Sequence, residues 1–193
     1  MAPHAGVPHV RIEPWSAADL ELLVRSNAPE MMLYLGGPES TEKLERRHAR
    51  YLDGWRTDAA HVFRVLVDDS PDGSARPAGV VSYWRSAWHD EPVFEAGWSV
   101  LREFQGRGVA TLATRAAVRH AAEHRRAPGD ARRRRLHAFP RVDNAASNGV
   151  CRGAGFTWGG EADLEYPPGT PIRCNDWFVD LDSVALAPHL PRS

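Results

Sequence analysis

The sequence predicts a mixed α/β (α+β) fold in one domain, and three observations carry that expectation. Apolar residues make up 42% of the 193 positions and charged residues 25%, enough to bury one sizeable core and cramped for two. The apolar period alternates between helical and strand-like along the chain, and the changes are marked by capping and turn residues. The resulting order is helices, an antiparallel meander, one central helix, a strand, a short helix and two more strands, which is a mixed layer arrangement. The domain is expected to span 1–193, with its core at about 9–182 and a tail at 183–193 that need not be ordered.

Each element has its own warrant. "HVRIEPW" alternates as a first strand, and Ser16 then stands at an N-cap, with Asp19 at the capping-box position before Leu20, Leu22, Leu23 and Val24. "APEMMLYLGGPES" reads as a short helical turn stopped by Gly36 and Gly37, after which Ser40 or Thr41 opens a helix with Leu44, His48, Tyr51, Leu52 and Trp55 on one stripe. "HVFRVLVDD" and "AGVVSYWRS" around "SPDGSARP" form a hairpin, and "VFEAGWSVL" is a third strand after the loop "AWHDEP". A helix from Gly108 to His124 follows, then the polar connector "RRAPGDARRR" and a short strand "RLHAF". "NAASNGVCRGAG" is a short helix capped by Asn144, and "FTWGGEADLEY" and "IRCNDWFVDL" close the sheet.

Charge and cysteine content exclude several function classes. A net charge of −1 argues against a general polyanion binder, and no aromatic stacking pattern accompanies the run Arg132 to Arg135, so no nucleic-acid partner is expected. Cys151 and Cys174 have neither metal-like spacing nor an accompanying histidine cluster; free thiols, no metal and a cytoplasmic address are the expectation. No run approaches the length needed to span a bilayer, so no membrane partner is expected.

The chemistry concentrates at "QGRGVA", Gln105 to Ala110, a glycine corner between a strand and a helix. Unpaired N–H groups at a helix start, with glycines ahead of them, admit an anionic group closely, and phosphate is the natural candidate. A P-loop is ruled out because Val109, not lysine, follows Gly108, and a dinucleotide fingerprint fits poorly because its third glycine would fall on Thr111. A turn with packing glycines and no ligand is the plain alternative.

"QGRGVA" fits the pattern Gln/Arg-x-x-Gly-x-Gly/Ala and resembles the acetyl-coenzyme A signature of the GCN5-related N-acetyltransferases (GNAT). "EAGWSV…FQGRGVAT" and "NAASNGVCRGAGF", with Asn144, Ser147, Val150 and Gly155-Phe156, are similar to the branch containing the ribosomal-protein N-terminal acetyltransferases. That resemblance implies a mainly antiparallel twisted sheet flanked by helices, acetyl-CoA as co-substrate, an amine acceptor and often a homodimer. It implies that Trp98, Ser99 and Val100 pair with the pantetheine arm. The backbone of Gln105, Gly106, Arg107, Gly108, Val109 and Ala110, with Thr111, then cradles the diphosphate. Asn144, Ser147 and a basic side chain, Arg107 or Arg152, supply further contacts.

Acetyl transfer needs a neutral amine, a donor to the carbonyl oxygen and a proton for the departing thiolate. Glu95, the one acid on the strand beside the expected thioester, is the candidate base or a structural carboxylate. Ser147 is the candidate donor to the thiolate, a cofactor ligand, or a locally bonded first-turn serine. Trp84, Trp88, His89 and Asp90 are placed by the resemblance at the acceptor mouth, with His89 a possible second base; an exposed polar loop is the plain reading. Transfer of a larger acyl group such as succinyl, or acyl-CoA binding without turnover, are the alternatives to acetyl transfer.

Overall fold

The computed structural model describes residues 8–69, 74–125, 129–166 and 168–185. The chain runs β1 (His9–Pro14), α1 (Leu20–Ser26), α2 (Thr41–Thr57), β2 (Ala60–Asp68), β3 (Ala75–Trp88), β4 (Glu91–Val100), α3 (Val109–His124), β5 (Arg135–Ala138), α4 (Ala145–Ala154), β6 (Thr157–Glu165) and β7 (Pro171–Asp180). Seven strands make one sheet in the order β1-β2-β3-β4-β5-β7-β6. Every pairing is antiparallel except that of β4 with β5. The expected fold class and the order of elements are both present.

Local chemistry explains the starts and stops. The Asp19 carboxylate accepts from the Ser16 N–H and hydroxyl, both at 2.7 Å, as the capping-box spacing predicts. Met32 N–H bonds back to the Ala28 carbonyl in one helical turn, and the chain then leaves through Gly36 and Gly37, both at positive φ. On α3 the buried positions Val109, Ala113, Ala117 and Ala121 recur every fourth residue, so a stripe of small side chains brings the helix close to the sheet. Beneath it lie Val81, Tyr83 and Phe94, all at most 1% exposed.

One expectation is corrected. "AWHDEP" is not a loop: β3 and β4 pair without interruption from Gly79↔Val100 to Trp88↔Glu91, joined by a two-residue turn of His89 and Asp90 at φ 49° and 63°. Left-handed residues at both turn positions match the twist of the flanking strands, so the hairpin continues to its tip. At Gly97 the register with Ser82 is continuous, and the absent side chain leaves room for the Trp84 indole, whose nearest atom lies 3.4 Å from a Cβ built there. Residues 126–128 of the connector at 125–134, residues 70–73 of the hairpin turn and residues 186–193 of the expected tail lie outside those described.

Gly79 on β3 has the tightest backbone approach among the described glycines. A Cβ there would stand 2.1 Å from the Ser99 carbonyl oxygen and 2.9 Å from the Val100 Cα. Gly79→Ala is expected to cost roughly 1–3 kcal/mol, as overpacking of a close-packed site does. Because the displaced atoms belong to the end of β4, urea unfolding and ligand affinity should fall together.

Candidate active site

β4 and β5 run parallel but pair only at Phe94↔Leu136 and Glu95↔His137. Beyond Glu95 the strands part, and Ala96 to Val100 have a strand neighbour only on the β3 side. The parting opens a cleft of about 510 Å³, lined from β4 by Glu95, Ala96, Gly97 and Trp98 and from α4 by Asn144 and Ser147. A second cavity of about 200 Å³ adjoins it and shares Trp84, Gly97 and Trp98; Ser99 lines only this second one.

At the far end of β4 the chain turns through the glycine corner. Gly106 and Gly108 have φ 70° and 77°, and a Cβ on either would meet nothing within 4 Å. These glycines serve backbone conformation and open approach, not packing. Leu112 N–H makes the first helical bond, to the Gly108 carbonyl, so the amides of Val109, Ala110 and Thr111 precede the ladder. Gln105 contributes differently: its own N–H is bonded to the Arg102 carbonyl and its side-chain amide donates to the Val100 carbonyl at 2.8 Å, bracing the bend. Arg107 is held by Asp69 at 2.7 Å. Arg152 lies at the carboxyl end of α4, beside Gly153, where a Cβ would come 3.0 Å from Thr111. That brings the carboxyl end of α4 to the corner, with the Arg152 guanidinium 5.8 Å over the Trp177 ring, and leaves Asn144 and Ser147 in the cleft with Glu95, at the opposite end of the helix.

Glu95 sits where the strands separate. Ser86 donates to its Oε2 at 3.0 Å, and the Trp84 indole, its register partner on β3, also bonds it. Burial raises its pKa above the ordinary carboxylate value, against the lowering pull of the Ser86 bond, the His137 charge and the Trp84 bond. Asn144 caps α4, its Oδ1 accepting from the Ser147 N–H at 3.0 Å; among the described residues its amide nitrogen and the Ser147 hydroxyl have no protein partner. The capping and the cleft-facing readings of Asn144 are therefore compatible. Cys151 is fully buried with its thiol pushed up to about 12 by burial, which removes it as a nucleophile.

Of the expected acceptor residues, Trp84 and Trp88 line the cleft from β3, whereas His89 and Asp90 occupy the turn tip and do not. Sequence reasoning missed several cleft and support residues. Tyr34, Phe139 and Tyr166 complete an aromatic wall. His137, 2% exposed, bonds Asp176 at 2.7 Å, which accepts from the Trp88 indole at 3.0 Å, tying the hairpin to β5 and β7. Buried Asn148 donates to the carbonyls of Arg141 and Asn144 and accepts from the Asn175 amide and the Trp177 indole, all at 2.8–2.9 Å. No local spacing announces these, because each joins segments distant in sequence.

The comparisons with known proteins agree with this geometry. The family model described as "Acetyltransferase (GNAT) domain" matches residues 9–157. No curated protein matches the sequence. Among solved structures, an acetyltransferase from Salmonella typhimurium that modifies an N-terminal serine of a 50S ribosomal subunit protein is 22% identical, with TM-score 0.69 over 89% of this chain and 94% of that one. The microcin self-immunity acetyltransferase MccE, in complex with acetyl-CoA and AMP, is 18% identical, with TM-score 0.68 over 89% and 92%. Spermidine N-acetyltransferase from Vibrio cholerae, in complex with CoA and spermine, is 15% identical, with TM-score 0.67 over 90% and 96%. These likenesses establish the fold, and the family match covers most of the sequence: the chain belongs to the GNAT acetyltransferase family.

Proposed function

We propose that this acetyltransferase takes the acetyl group of acetyl-CoA and passes it directly to a primary amine held over Glu95, and that the α-amine of a peptide or protein is the acceptor that fits best. The carrying observation is the parting of β4 from β5 immediately after Glu95, ahead of an open glycine corner. The free edge at Trp98, Ser99 and Val100 offers main-chain pairing to an extended amide-bearing arm, and the amides of Val109, Ala110 and Thr111 receive the diphosphate, with Arg152 on the adjoining end of α4 as the basic side chain that turns to it. Asn144 and Ser147 complete the thioester end, Ser147 donating to the departing sulfur. A backbone N–H near Val100 meets the carbonyl oxygen as charge builds on it.

Glu95 removes the proton. An alkyl amine of pKa about 10.4 must give up a proton at a cost near 4–5 kcal/mol at pH 7, whereas an α-amine near 7.7 costs about 1. A single carboxylate with a raised pKa is matched to the second task. The aromatic wall of Tyr34, Trp84, Trp88, Phe139 and Tyr166 offers apolar faces to a residue beside that amine. Arg141 is the one basic residue among those lining the cleft, and it is engaged by Asp143 at 2.7 and 2.9 Å, so a distal carboxylate on the acyl group finds no free cation; this favours acetyl over succinyl. The two cysteines are free and buried, and no described helix is long and apolar enough to cross a membrane, both in keeping with a cytoplasmic setting.

The test is release of free thiol from acetyl-CoA with a panel of N-terminal peptides and small amines. Turnover is expected with α-amines, and binding without turnover for every amine would leave only a carrier. Gly108→Trp fills the open corner; it is expected to lose about 1–2 kcal/mol of stability through its positive φ, remain folded and bind no acetyl-CoA in titration calorimetry. Unchanged affinity would refute the assignment of the corner.

A further inference from the structure

The carboxyl end of α3 carries a second cluster of chemistry-bearing side chains that acetyl transfer does not use. Asp58 ends α2 in the left-handed region, at φ 59°, and its Oδ1 lies 3.1 Å from His61 Nε2 on β2 and 2.8 Å from His124 Nε2 on α3. The three candidate ligand atoms all lie within 4.8 Å of one another. Ligands around a tetrahedral zinc ion stand about 3.3 Å apart, within the spread seen here. The His61 side chain is only 4% exposed.

Two further observations distinguish this cluster from an ordinary ion pair. His124 Nε2 is buried and has no hydrogen-bond partner in spite of its 2.8 Å approach to the carboxylate, so the ring nitrogen is not aligned to bond that oxygen. A buried nitrogen left in this way costs free energy unless something else occupies its lone-pair direction. The second observation is the support behind the carboxylate. Arg85 holds Asp58 Oδ2 at 2.8 Å and is itself gripped by buried Asp130 at 2.9 and 3.0 Å, which fixes Oδ2 and leaves Oδ1 turned to the histidines. Outer partners of this kind orient metal ligands. His120, one turn before His124, stands outside the group whose ligand atoms lie within 4.8 Å of one another, and its Nδ1 is bonded to the Tyr83 hydroxyl at 2.7 Å. Trp55 and Tyr83 pack against His61 and keep water from that side.

We propose that Asp58, His61 and His124 bind a zinc-class divalent cation that clamps the α2–β2 junction to the end of α3. Two imidazoles and one carboxylate favour Zn²⁺ or Co²⁺ over Mg²⁺ or Ca²⁺, which take oxygen ligands. The fourth position is left for water, with Asp130 Oδ2 3.9 Å from His124 Nε2 near enough to support it. The site is structural. It lies at the other end of the 16-residue α3 from the glycine corner, about 24 Å along the helix axis.

The full chain, stripped with a chelator, is titrated with Zn²⁺ by calorimetry and with Co²⁺ by visible absorption, with Mg²⁺ as control. One equivalent of Zn²⁺, the visible bands of low-coordinate Co²⁺ and no response to Mg²⁺ are expected. Zn²⁺ in hundredfold excess over its dissociation constant is expected to raise the melting temperature by roughly 5–10 °C. His124→Gln and Asp58→Asn should each weaken Zn²⁺ binding by more than roughly 100-fold, beyond what outer partners cost, and His120→Gln should not. Asp58→Asn keeps a residue that tolerates the left-handed turn, so it reports even where His124→Gln fails to fold. Absence of saturable Zn²⁺ and Co²⁺ binding by the unmodified chain, or wild-type affinity in Asp58→Asn, would overturn the site.

Discussion

Glu95→Gln is expected to lower kcat by roughly 10²–10⁴, the usual contribution of a positioned general base, while leaving acetyl-CoA affinity unchanged and raising the melting temperature. The two halves of this expectation have one cause. Burial holds the Glu95 pKa above its ordinary value, so the folded state prefers the neutral acid. Glu95 therefore contributes stability that is present below its unfolded pKa and is lost as pH rises through the raised folded value, which leaves a buried charge near neutrality. Glutamine removes that charge, keeps an oxygen for the Trp84 indole and adds an N–H for the Ser86 hydroxyl. In the pH–rate profile the wild type should rise through a pKa above the usual carboxylate range, and the variant should lack that limb. If Glu95 were a structural anchor, kcat would hold and the melting temperature would drop.

Asn148→Ala should be the most damaging single change to stability outside the sheet, at about 4 kcal/mol or more. Four hydrogen bonds meet on this amide, each worth roughly 1 kcal/mol net, and two of the groups left behind, the Trp177 indole N–H and the Asn175 amide, belong to β7 beside the cleft. Urea unfolding measures the loss. Because Asn148 is one residue from Ser147 and donates to the Asn144 carbonyl, the surviving folded fraction should also have a raised KM for acetyl-CoA. Asn148→Asp tests the logic separately: it retains the acceptor but sets a buried carboxylate oxygen against the Arg141 and Asn144 carbonyls, so it should be at least as damaging as alanine.

The parts of this molecule legible in the sequence are those whose causes are local. Ser16 and Asp19, the cap at Asn144, the glycine corner and the alternating strands each act through neighbours a few residues away. Glu95 stood out because it is the one acid within "VFEAGWSVL", and the structure places it in the cleft; β4 itself begins earlier, at Glu91. The His89–Asp90 turn was not, since the common signal for such turns is a glycine or asparagine, and here two other residues carry the positive φ. Asn148 looked like any helical asparagine; the two groups that donate to it come from a strand 27 and 29 residues away. The histidines were also scattered. His61 and His124 stand on a strand and a helix far apart in the chain, so inspection of cysteine spacing offered no sign that they converge with Asp58.

The early divergence of two neighbouring strands has a cost for the enzyme without its ligand. Sheet margins are ordinarily blunted by charge, proline or a covering helix, because bare main-chain groups there invite another polypeptide to add on. In this protein such a margin occurs in the middle of the sheet, along Ala96 to Ser99, with the Val100 carbonyl already taken by the Gln105 amide; the proposed function is what keeps it uncovered. On the proposed function the acyl donor would act as a removable strand, and its supply would set how much of the enzyme circulates with a sticky seam exposed.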